Sequence, residues 1–192
     1  VYAMLTVMNS SVIDLCLLKE KDSLVEKLDS MYVRDELTKL YNRFGMRRYV
    51  EKILQVAKRD GKHIMCIEMD LDGLKRINDT YGHDAGDNAI VQIANAMRQA
   101  SERREVCIRS GGDEFLVFGI AEKESDARSF IRRVEDCLDE YNSRNQWPYQ
   151  VACSCGYYVR RASEINSLEE MVTEADKLLY MVKARRRTTR TS

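Results

Sequence analysis

Apolar and polar positions alternate along the chain with two different periods, and these periods predict its secondary structure. Apolar residues at helical spacing predict helices, whereas short runs of mostly apolar residues predict strands. The helices are expected at residues 43–59, 73–81, 86–101, 125–142 and 167–186. The strands are expected at residues 63–70, 105–110 and 114–120, with further strand material within 146–160.

The order of these elements predicts an α+β fold, arranged like an α/β sandwich. The order α-β-α-α-β-β-α-β-α fits a central, mostly antiparallel sheet flanked by helices. We expect the helices to pack on one face of that sheet. Asp60 and Gly61 end the first of these helices, and the pair Trp147-Pro148 marks a turn or a sheet edge.

Residues 1–33 contain neither glycine nor proline and predict one amphipathic helix ahead of the domain. Leu17, Leu24 and Met31 are seven residues apart, which is compatible with a two-stranded coiled coil, although lysines between them weaken that seam. Packing of this helix on its own domain or on a missing one fits equally well. The chain begins without Met, so we interpret the segment as a signalling stalk left from an upstream region.

Length and charge limit the classes of function. A chain of 192 residues suits one domain, expected at residues 34–187, with the stalk before it and a short tail at 188–192. Lys+Arg and Asp+Glu number 31 each, so no overall field favours a nucleic acid or an anionic membrane. Residues 1–18 lean apolar but are too polar for a membrane span. We expect neither a nucleic-acid partner nor a membrane span in this chain.

The six cysteines are predicted to be reduced core thiols of a cytoplasmic protein. Cys153 and Cys155 are two residues apart in a predicted strand, so both side chains should point to the same face of the sheet. A zinc site is not expected, because the chain has only two histidines and the cysteine spacings do not suit one.

A short run, RSGGDEF at residues 109–115, predicts the tip of a β-hairpin. Gly111 and Gly112 allow a tight turn and also the close approach of a ligand to the backbone. Asp113 and Glu114 follow them, and such carboxylates can hold a divalent metal ion. A solvated acidic turn is the simpler interpretation of this run taken alone.

A second polar cluster follows the predicted strand at residues 63–70 and favours the metal site. Asp70 ends that strand, where the sheet fixes the carboxylate while the open end admits a substrate; capping of the next helix is the alternative role. Lys75 follows within one helical turn, as a phosphate contact requires. The side chains of Asn78, His83 and Asp87 can read the edge of a purine.

Five motifs in this order resemble the GGDEF domain, the diguanylate cyclase family. They are DELTKLYNR at 35–43, DLDGLKRINDTYGHDAGD at 70–87, RSGGDEF at 109–115, SCG at 154–156 and ADKLLYMVK at 175–183. The resemblance covers about residues 35–187. It implies the palm-like fold of nucleotide cyclases and polymerases. It also implies a cytoplasmic homodimer, controlled by an upstream sensor domain, that joins two GTP molecules into cyclic di-GMP with two Mg²⁺ or Mn²⁺ ions per site.

The resemblance assigns a role to each candidate residue. Asp70, the backbone carbonyl of Leu71 and Asp113 are the expected metal ligands. Asp113 is also expected to help activate the attacking 3′-hydroxyl. Glu114 binds metal, assists proton transfer or orients the hairpin, and these alternatives stay open. The residues expected to contact substrate are Lys75, Asn78, His83, Asp87, Gly111, Gly112, Lys183 and Arg187; for His83 a structural role fits nearly as well.

Two positions depart from the family pattern. Many relatives carry an Arg-x-x-Asp product-binding site before the hairpin. This chain has Glu102 and Glu105 at those two positions, so it is not expected to bind a guanine base in the same way. The last helix of relatives ends in Gly-Arg-Asn, where this chain has Arg186, Arg187 and Thr188. Three interpretations follow: an active cyclase, a non-catalytic GGDEF receptor or scaffold, and a cyclase for another base. The intact catalytic residues favour the first and Asp87 disfavours the third.

Overall fold

The computed structural model describes residues 32–102, 104–144 and 147–190, with side chains described as far as Arg186. The predicted stalk at residues 1–33 lies almost wholly outside these ranges. Arg103 and the side chain of Arg187 also lie outside the described residues.

Within these ranges the chain forms five α-helices, four β-strands and a single 3₁₀ turn. The helices are α1 (Arg43–Arg59), α2 (Leu74–Tyr81), α3 (His83–Ala100), α4 (Glu124–Arg144) and α5 (Leu168–Arg190). The strands are β1 (His63–Leu71), β2 (Glu105–Gly111), β3 (Glu114–Ala121) and β4 (Cys153–Arg161), and the 3₁₀ turn spans Ala162–Glu164. The predicted order of elements is therefore confirmed.

The four strands form one antiparallel sheet in the order β2-β3-β1-β4. β1 is a central strand, so its carboxyl end is flanked on both sides. Asp70 pairs with Glu114 of β3 on one side and with Ser154 of β4 on the other. This register brings the end of β1, the β2–β3 hairpin and the start of β4 to the same edge of the sheet.

Helices cover both faces of the sheet, so the expectation of helices on one face was wrong. Residues of β1 that point to one face, such as Ile67 and Met69, pack with α2, α3 and α4. Those that point to the other face, such as Ile64 and Cys66, pack with α1 and α5. The physical reason is visible in β1, where consecutive residues from Ile64 to Ile67 are buried and apolar, as a strand covered on both faces requires.

Helix α3 begins at His83 instead of at residue 86, three residues earlier than predicted. Gly82, with φ of 88°, ends α2 and begins α3, so the two helices share this one residue as their junction. Gly86 was read as the helix start, but it lies inside the first turns of α3, where the side chain of Asn78 packs over it. His83 and Asp87 are consequently one turn apart on the same helix.

Helix α5 crosses β4 at very short range. A Cβ atom added to Gly156 of β4 would lie 2.2 Å from the carbonyl oxygen of Ala175 on α5. Only glycine permits this approach. The crossing directs the next two turns of α5 towards the carboxyl end of β1, where Lys183 and Arg186 contact Asp70 and Asp72.

Candidate functional site

The predicted metal ligands meet where β1 ends against the hairpin. Asp70 lies opposite Glu114 in the register of the sheet. The backbone N–H of Leu71 donates to the carbonyl of Asp113, with 3.1 Å between nitrogen and oxygen. Helix α2 is preceded by Gly73 without a side-chain cap, so Asp70 does not serve as its cap. The structure thus brings Asp70, Leu71, Asp113 and Glu114 together, as the sequence predicted.

Lys183 of α5 forms an ion pair with Asp70. Its Nζ lies 2.6 Å from Oδ2 of Asp70, and both side chains are largely covered. Burial raises the pKa of Asp70 above its ordinary value, with Lys183 opposing the change and Asp113 adding to it. The site therefore holds a carboxylate that is costly to ionise without a positive charge beside it.

Glu68 adds a carboxyl group that the sequence interpretation did not place in the site. It lies two residues before Asp70 in β1, so both side chains point to the α5 face. Burial, followed by the nearby carboxylates of Asp176 and Glu114, raises the pKa of Glu68 to about 7. Its Oε2 atom is buried and accepts no hydrogen bond from any residue in the described ranges.

These oxygen donors are of the kind that holds a hard divalent metal ion. The donor set consists of carboxylates and a backbone carbonyl, which hard divalent cations prefer, and the buried Oε2 of Glu68 still lacks a partner. Among the described residues, no three carboxylate, imidazole or thiol groups converge into a complete metal cage. A hard divalent ion that is held by one or two carboxylates together with substrate phosphates and water would not need such a cage.

Arg109 stabilises the hairpin turn that carries Asp113. Its guanidinium donates from Nε and Nη2 to the carbonyl of Gly112, at 3.0 and 2.8 Å. Its Nη1 atom binds both carboxylate oxygens of Asp35, at 3.1 and 3.2 Å. Gly112 has φ of 42°, which a side-chain-bearing residue adopts only with strain, so its glycine is needed by the turn itself.

The predicted base readers surround the α2–α3 junction. Asn78 lies in α2, and its Oδ1 is buried without a hydrogen-bond partner in the described part of the chain. A Cβ atom on Gly86 would lie 1.9 Å from that oxygen, so the small size of Gly86 keeps the carboxamide in place. His83 and Asp87 are exposed on α3 beside it. An unpartnered amide oxygen next to an exposed carboxylate can accept hydrogen bonds from the N–H groups of a planar base.

The residues predicted to contact phosphate differ in their positions relative to Asp70. Lys183 lies directly on Asp70, as described above. Lys75 is exposed on α2, one turn after the end of β1. Arg187 belongs to α5, but its side chain lies outside the described residues. Helix α5 continues to Arg190, beyond its predicted end at residue 186.

A second ion pair lies beside the first and was missed by the sequence interpretation. Arg186 Nη1 lies 2.5 Å from Oδ2 of Asp72, and the Oγ of Ser154 donates to the other carboxylate oxygen at 2.7 Å. In the sequence, Asp72 is only one residue of the motif at residues 70–87. Arg186 is only a departure from the Gly-Arg-Asn that ends the last helix of relatives. The available signal was spacing: Lys183 and Arg186 are one turn apart on α5, and Asp70 and Asp72 are two apart at the end of β1.

A cavity of about 640 Å³ opens between α1, α5 and the sheet. Its walls include the apolar residues Phe44, Leu116 and Val172 together with the carboxyl groups of Glu68 and Glu114. It lies on the same face of the sheet as Asp70, so the site continues into a partly apolar groove. No helix in the described ranges is both long and apolar enough to cross a membrane.

Comparison with protein families and curated proteins identifies what this chain resembles. A family model described as "Diguanylate cyclase, GGDEF domain" matches residues 32–189. The chain is 32% identical over 151 residues to the probable diguanylate cyclase DgcJ of Escherichia coli, covering 79% of this chain and 29% of that protein. It is also 32% identical over 151 residues to the diguanylate cyclase DgcS of Shewanella oneidensis, covering 78% and 49% respectively. The chain thus spans half or less of the length of these two relatives.

Solved structures show the same fold. The diguanylate cyclase SiaD of Pseudomonas aeruginosa, in complex with its activator SiaC, matches with a TM-score of 0.77 at 28% identity, over 93% of this chain and 68% of that one. The coiled coil and GGDEF domain of DgcB from Caulobacter crescentus, in complex with c-di-GMP, matches with the same TM-score at 23% identity, over 93% and 94%. The predicted palm-like fold, an α+β domain with an antiparallel sheet between helices, is confirmed.

Proposed function

We propose, because this chain belongs to the GGDEF domain family of diguanylate cyclases, that it condenses two GTP molecules into cyclic di-GMP and releases pyrophosphate. The observation that carries the proposal is the juxtaposition of Asp70 with Asp113 and Glu114 at the open end of the central strand. A non-catalytic receptor or scaffold would not require these carboxylates, and all three are present. Their presence supports catalysis over the receptor alternative.

The reaction is a pair of phosphoryl transfers that require positioning more than covalent chemistry. Each 3′-hydroxyl oxygen attacks the α-phosphorus of the other nucleotide, the hydroxyl loses its proton, and the bond to pyrophosphate breaks. We assign the proton to Asp113, with Glu114 as the neighbouring carboxylate that assists it. Burial raises the pKa of Asp70, which supports the proposal that a positive charge accompanies this carboxylate.

The metal site is assigned to the oxygens that meet at the end of β1. We propose that Asp70, the carbonyl of Leu71 and Asp113 hold Mg²⁺ or Mn²⁺, two ions per site. When bound, such ions neutralise the charge that develops on the phosphates and the leaving pyrophosphate. Lys183 is then free to bind phosphate oxygens, and Lys75 and Arg187 are the further cations that the motif supplies.

Recognition of guanine is assigned to the α2–α3 junction. The Asp87 carboxylate can accept hydrogen bonds from guanine N1–H and from its 2-amino group, which adenine lacks. The unpartnered Oδ1 of Asn78 supports a second contact with the base. His83 begins the same helix and is proposed to contact the substrate at the edge of the site. Gly111 and Gly112 leave space for the nucleotide against the hairpin backbone.

Catalysis is proposed to need two copies of the domain, because each copy supplies one GTP and the two must face each other. Residues 1–33 are the proposed dimerising stalk, and a sensor domain is proposed upstream of it. We propose a cytoplasmic site of action, since GTP is an intracellular nucleotide and the described cysteines carry no disulfide.

The test is incubation of the chain with Mg²⁺ and either GTP or ATP, with products identified by mass spectrometry. Cyclic di-GMP from GTP, with no cyclic dinucleotide from ATP, is the expected result. Specific activity should rise with enzyme concentration if two copies are needed. Binding of GTP without turnover, in a chain that light scattering shows to be dimeric, would instead favour a receptor.

A further inference from the structure

The contacts of Arg186 join three elements at one point. Its Nη1 atom donates to Oδ2 of Asp72, to the carbonyl of Cys153 at 3.1 Å and to Oγ of Ser154 at 3.2 Å. Ser154 is fully buried and donates its own hydroxyl to the other oxygen of Asp72. The last turns of α5, the start of β4 and the turn after β1 are therefore tied by one guanidinium nitrogen.

The turn after β1 is pinned residue by residue. The N–H of Leu71 donates to Asp113 of the hairpin, and the N–H of Asp72 donates to the carbonyl of Ala152 at 2.8 Å. The side chain of Asp72 is fixed by Ser154 and Arg186, as described. Gly73 then adopts φ of 77° and starts α2. The position of the Leu71 carbonyl thus depends on how Asp72 is held.

The two ion pairs between α5 and the end of β1 have different roles. Lys183 contacts Asp70, and under the proposed function both side chains exchange that contact for phosphate and metal when substrate binds. Arg186 contacts Asp72, which is not among the proposed substrate or metal ligands and is also held by Ser154 and by the carbonyl of Ala152. The Arg186 contact can therefore persist when Lys183 leaves Asp70, and it keeps α5 in register with the turn.

We infer that Arg186 is a positioning residue for the triphosphate: through Asp72 it fixes the Leu71–Gly73 turn against α5, so that the metal-binding carbonyl of Leu71 and the phosphate-binding Lys183 keep a fixed position relative to each other. The inference rests on the proposed function. It concerns the phosphate end of the nucleotide alone, because the base readers on α2 and α3 do not contact Arg186.

The test compares two ligands that share the base and differ in their phosphates. Calorimetry is used to measure the binding of 3′-deoxy-GTP with Mg²⁺, which lacks the attacking hydroxyl, and of GMP. We expect Arg186→Ala to weaken the triphosphate about tenfold, as loss of a fixed geometry does, while GMP binding changes less than about twofold. Arg186→Lys should recover part of the loss. Arg144→Ala, which removes an exposed pair with Glu140, is the matched control and should change neither affinity.

Asp72→Asn separates positioning from simple charge. If Arg186 merely attracted phosphates, removal of the neighbouring carboxylate would strengthen triphosphate binding. The positioning role requires the opposite: Asp72→Asn weakens the triphosphate as Arg186→Ala does, and the double variant is no weaker than either single one.

The possible results distinguish failure of the inference from failure of the proposed function. Wild-type affinity in Arg186→Ala, equal loss of both ligands, or tighter triphosphate binding in Asp72→Asn would each overturn the inference and leave the proposed function intact. A wild-type chain that binds neither nucleotide would remove the proposed function itself. If Arg186→Ala does not fold, Arg186→Lys and Asp72→Asn give the same decision.

Discussion

Asp35 holds Arg109 against the hairpin, although the two residues are 74 positions apart in the chain. The Asp35 carboxylate also accepts from the N–H and the hydroxyl of Thr38, at 2.8 and 2.6 Å. Both members of the ion pair are mostly covered, with side-chain exposures of 23% and 14%. The segment before α1 therefore buttresses the turn that presents Asp113, and this gives a physical reason for the DELT motif.

Replacement of Asp35 by asparagine should destabilise the domain in a pH-dependent way. Burial alone would raise the pKa of Asp35, but hydrogen bonds from Thr38 and Arg109 outweigh it and hold the pKa below its ordinary value of 3.8. A lowered folded-state pKa contributes stability that is present above the unfolded-state pKa and is lost as pH falls through the folded-state pKa. Asp35→Asn should lower the free energy of unfolding by about 2 kcal/mol at pH 7.

Urea titrations at several pH values measure this difference. The gap between wild type and Asp35→Asn should stay constant above about pH 5 and close as pH falls below the ordinary carboxyl pKa. Asp60→Asn, which breaks the exposed pair with Arg59, should leave stability unchanged and serves as the control. A gap that persists at acidic pH would show that Asp35 acts through packing rather than through its charge.

The small size of Gly86 should be required for GTP binding. A methyl group at this position would displace the Asn78 carboxamide, whose oxygen would lie 1.9 Å away. Because alanine is otherwise favourable within a helix, Gly86→Ala should keep the fold while GTP affinity falls about tenfold. In the Asn78→Ala background the same change should cost little more, since the clash is gone. Additive losses in calorimetry would mean that Gly86 acts independently of Asn78.

Lys183 should compete with the metal for Asp70 before substrate arrives. Its Nζ lies 2.6 Å from the carboxylate, so a metal ion must displace it. Lys183→Met should therefore raise the affinity for Mn²⁺ in the absence of nucleotide by about threefold or more, even though it lowers turnover. Lys177→Met, on the same helix but paired with Glu174 at the surface, is the control. Unchanged Mn²⁺ affinity in Lys183→Met would contradict this competition.

Binding of the product outside the active site should be weak. Glu105 occupies the aspartate position of the relatives' product site, but its Oε2 accepts from Ser101 Oγ and from the N–H groups of Glu102 and Arg104, at 3.1, 3.0 and 3.3 Å. Glu102 presents an acceptor where a guanine needs a donor; the loss of a charge-assisted pair costs about 2–3 kcal/mol. Calorimetry with cyclic di-GMP should show no sub-micromolar site in Asp113→Ala. A tight site that survives this change would show that these residues bind product in another way.

Periodicity and motif spacing predicted the elements and the meeting of Asp70 with the hairpin at Asp113 and Glu114. They succeeded because the polar motifs fall at strand ends and turns, whose partners follow from an antiparallel sheet. They failed at Gly86, since a glycine inside a helix resembles a boundary when its packing partner is not visible. They also failed to predict that helices pack on both faces of the sheet. An apolar strand that is covered on both faces has no period that shows which helices cover it.

The residues that the sequence did not reveal act through tertiary contacts. Glu68 is a single charged residue within an otherwise apolar strand, and only the neighbours Asp176 and Glu114 show that it belongs to the site. Arg186 departs from the family pattern, and its importance depends on Asp72 and Ser154, which are 114 and 32 residues away. Spacing shows which residues share a face of one element, but no local signal predicts which distant elements will meet.

The most direct test of cyclase activity is quantitative conversion of GTP by the wild-type chain and by two matched variants. Chromatography and a pyrophosphate assay should give one cyclic di-GMP for every two pyrophosphates released, with Mg²⁺ present. Asp70→Asn and Asp113→Asn should abolish both products while their far-ultraviolet circular dichroism stays unchanged. Product formation that survives in either variant, or wild type that binds GTP but leaves it intact at high concentration, would contradict the assignment of a cyclase centre to the end of β1.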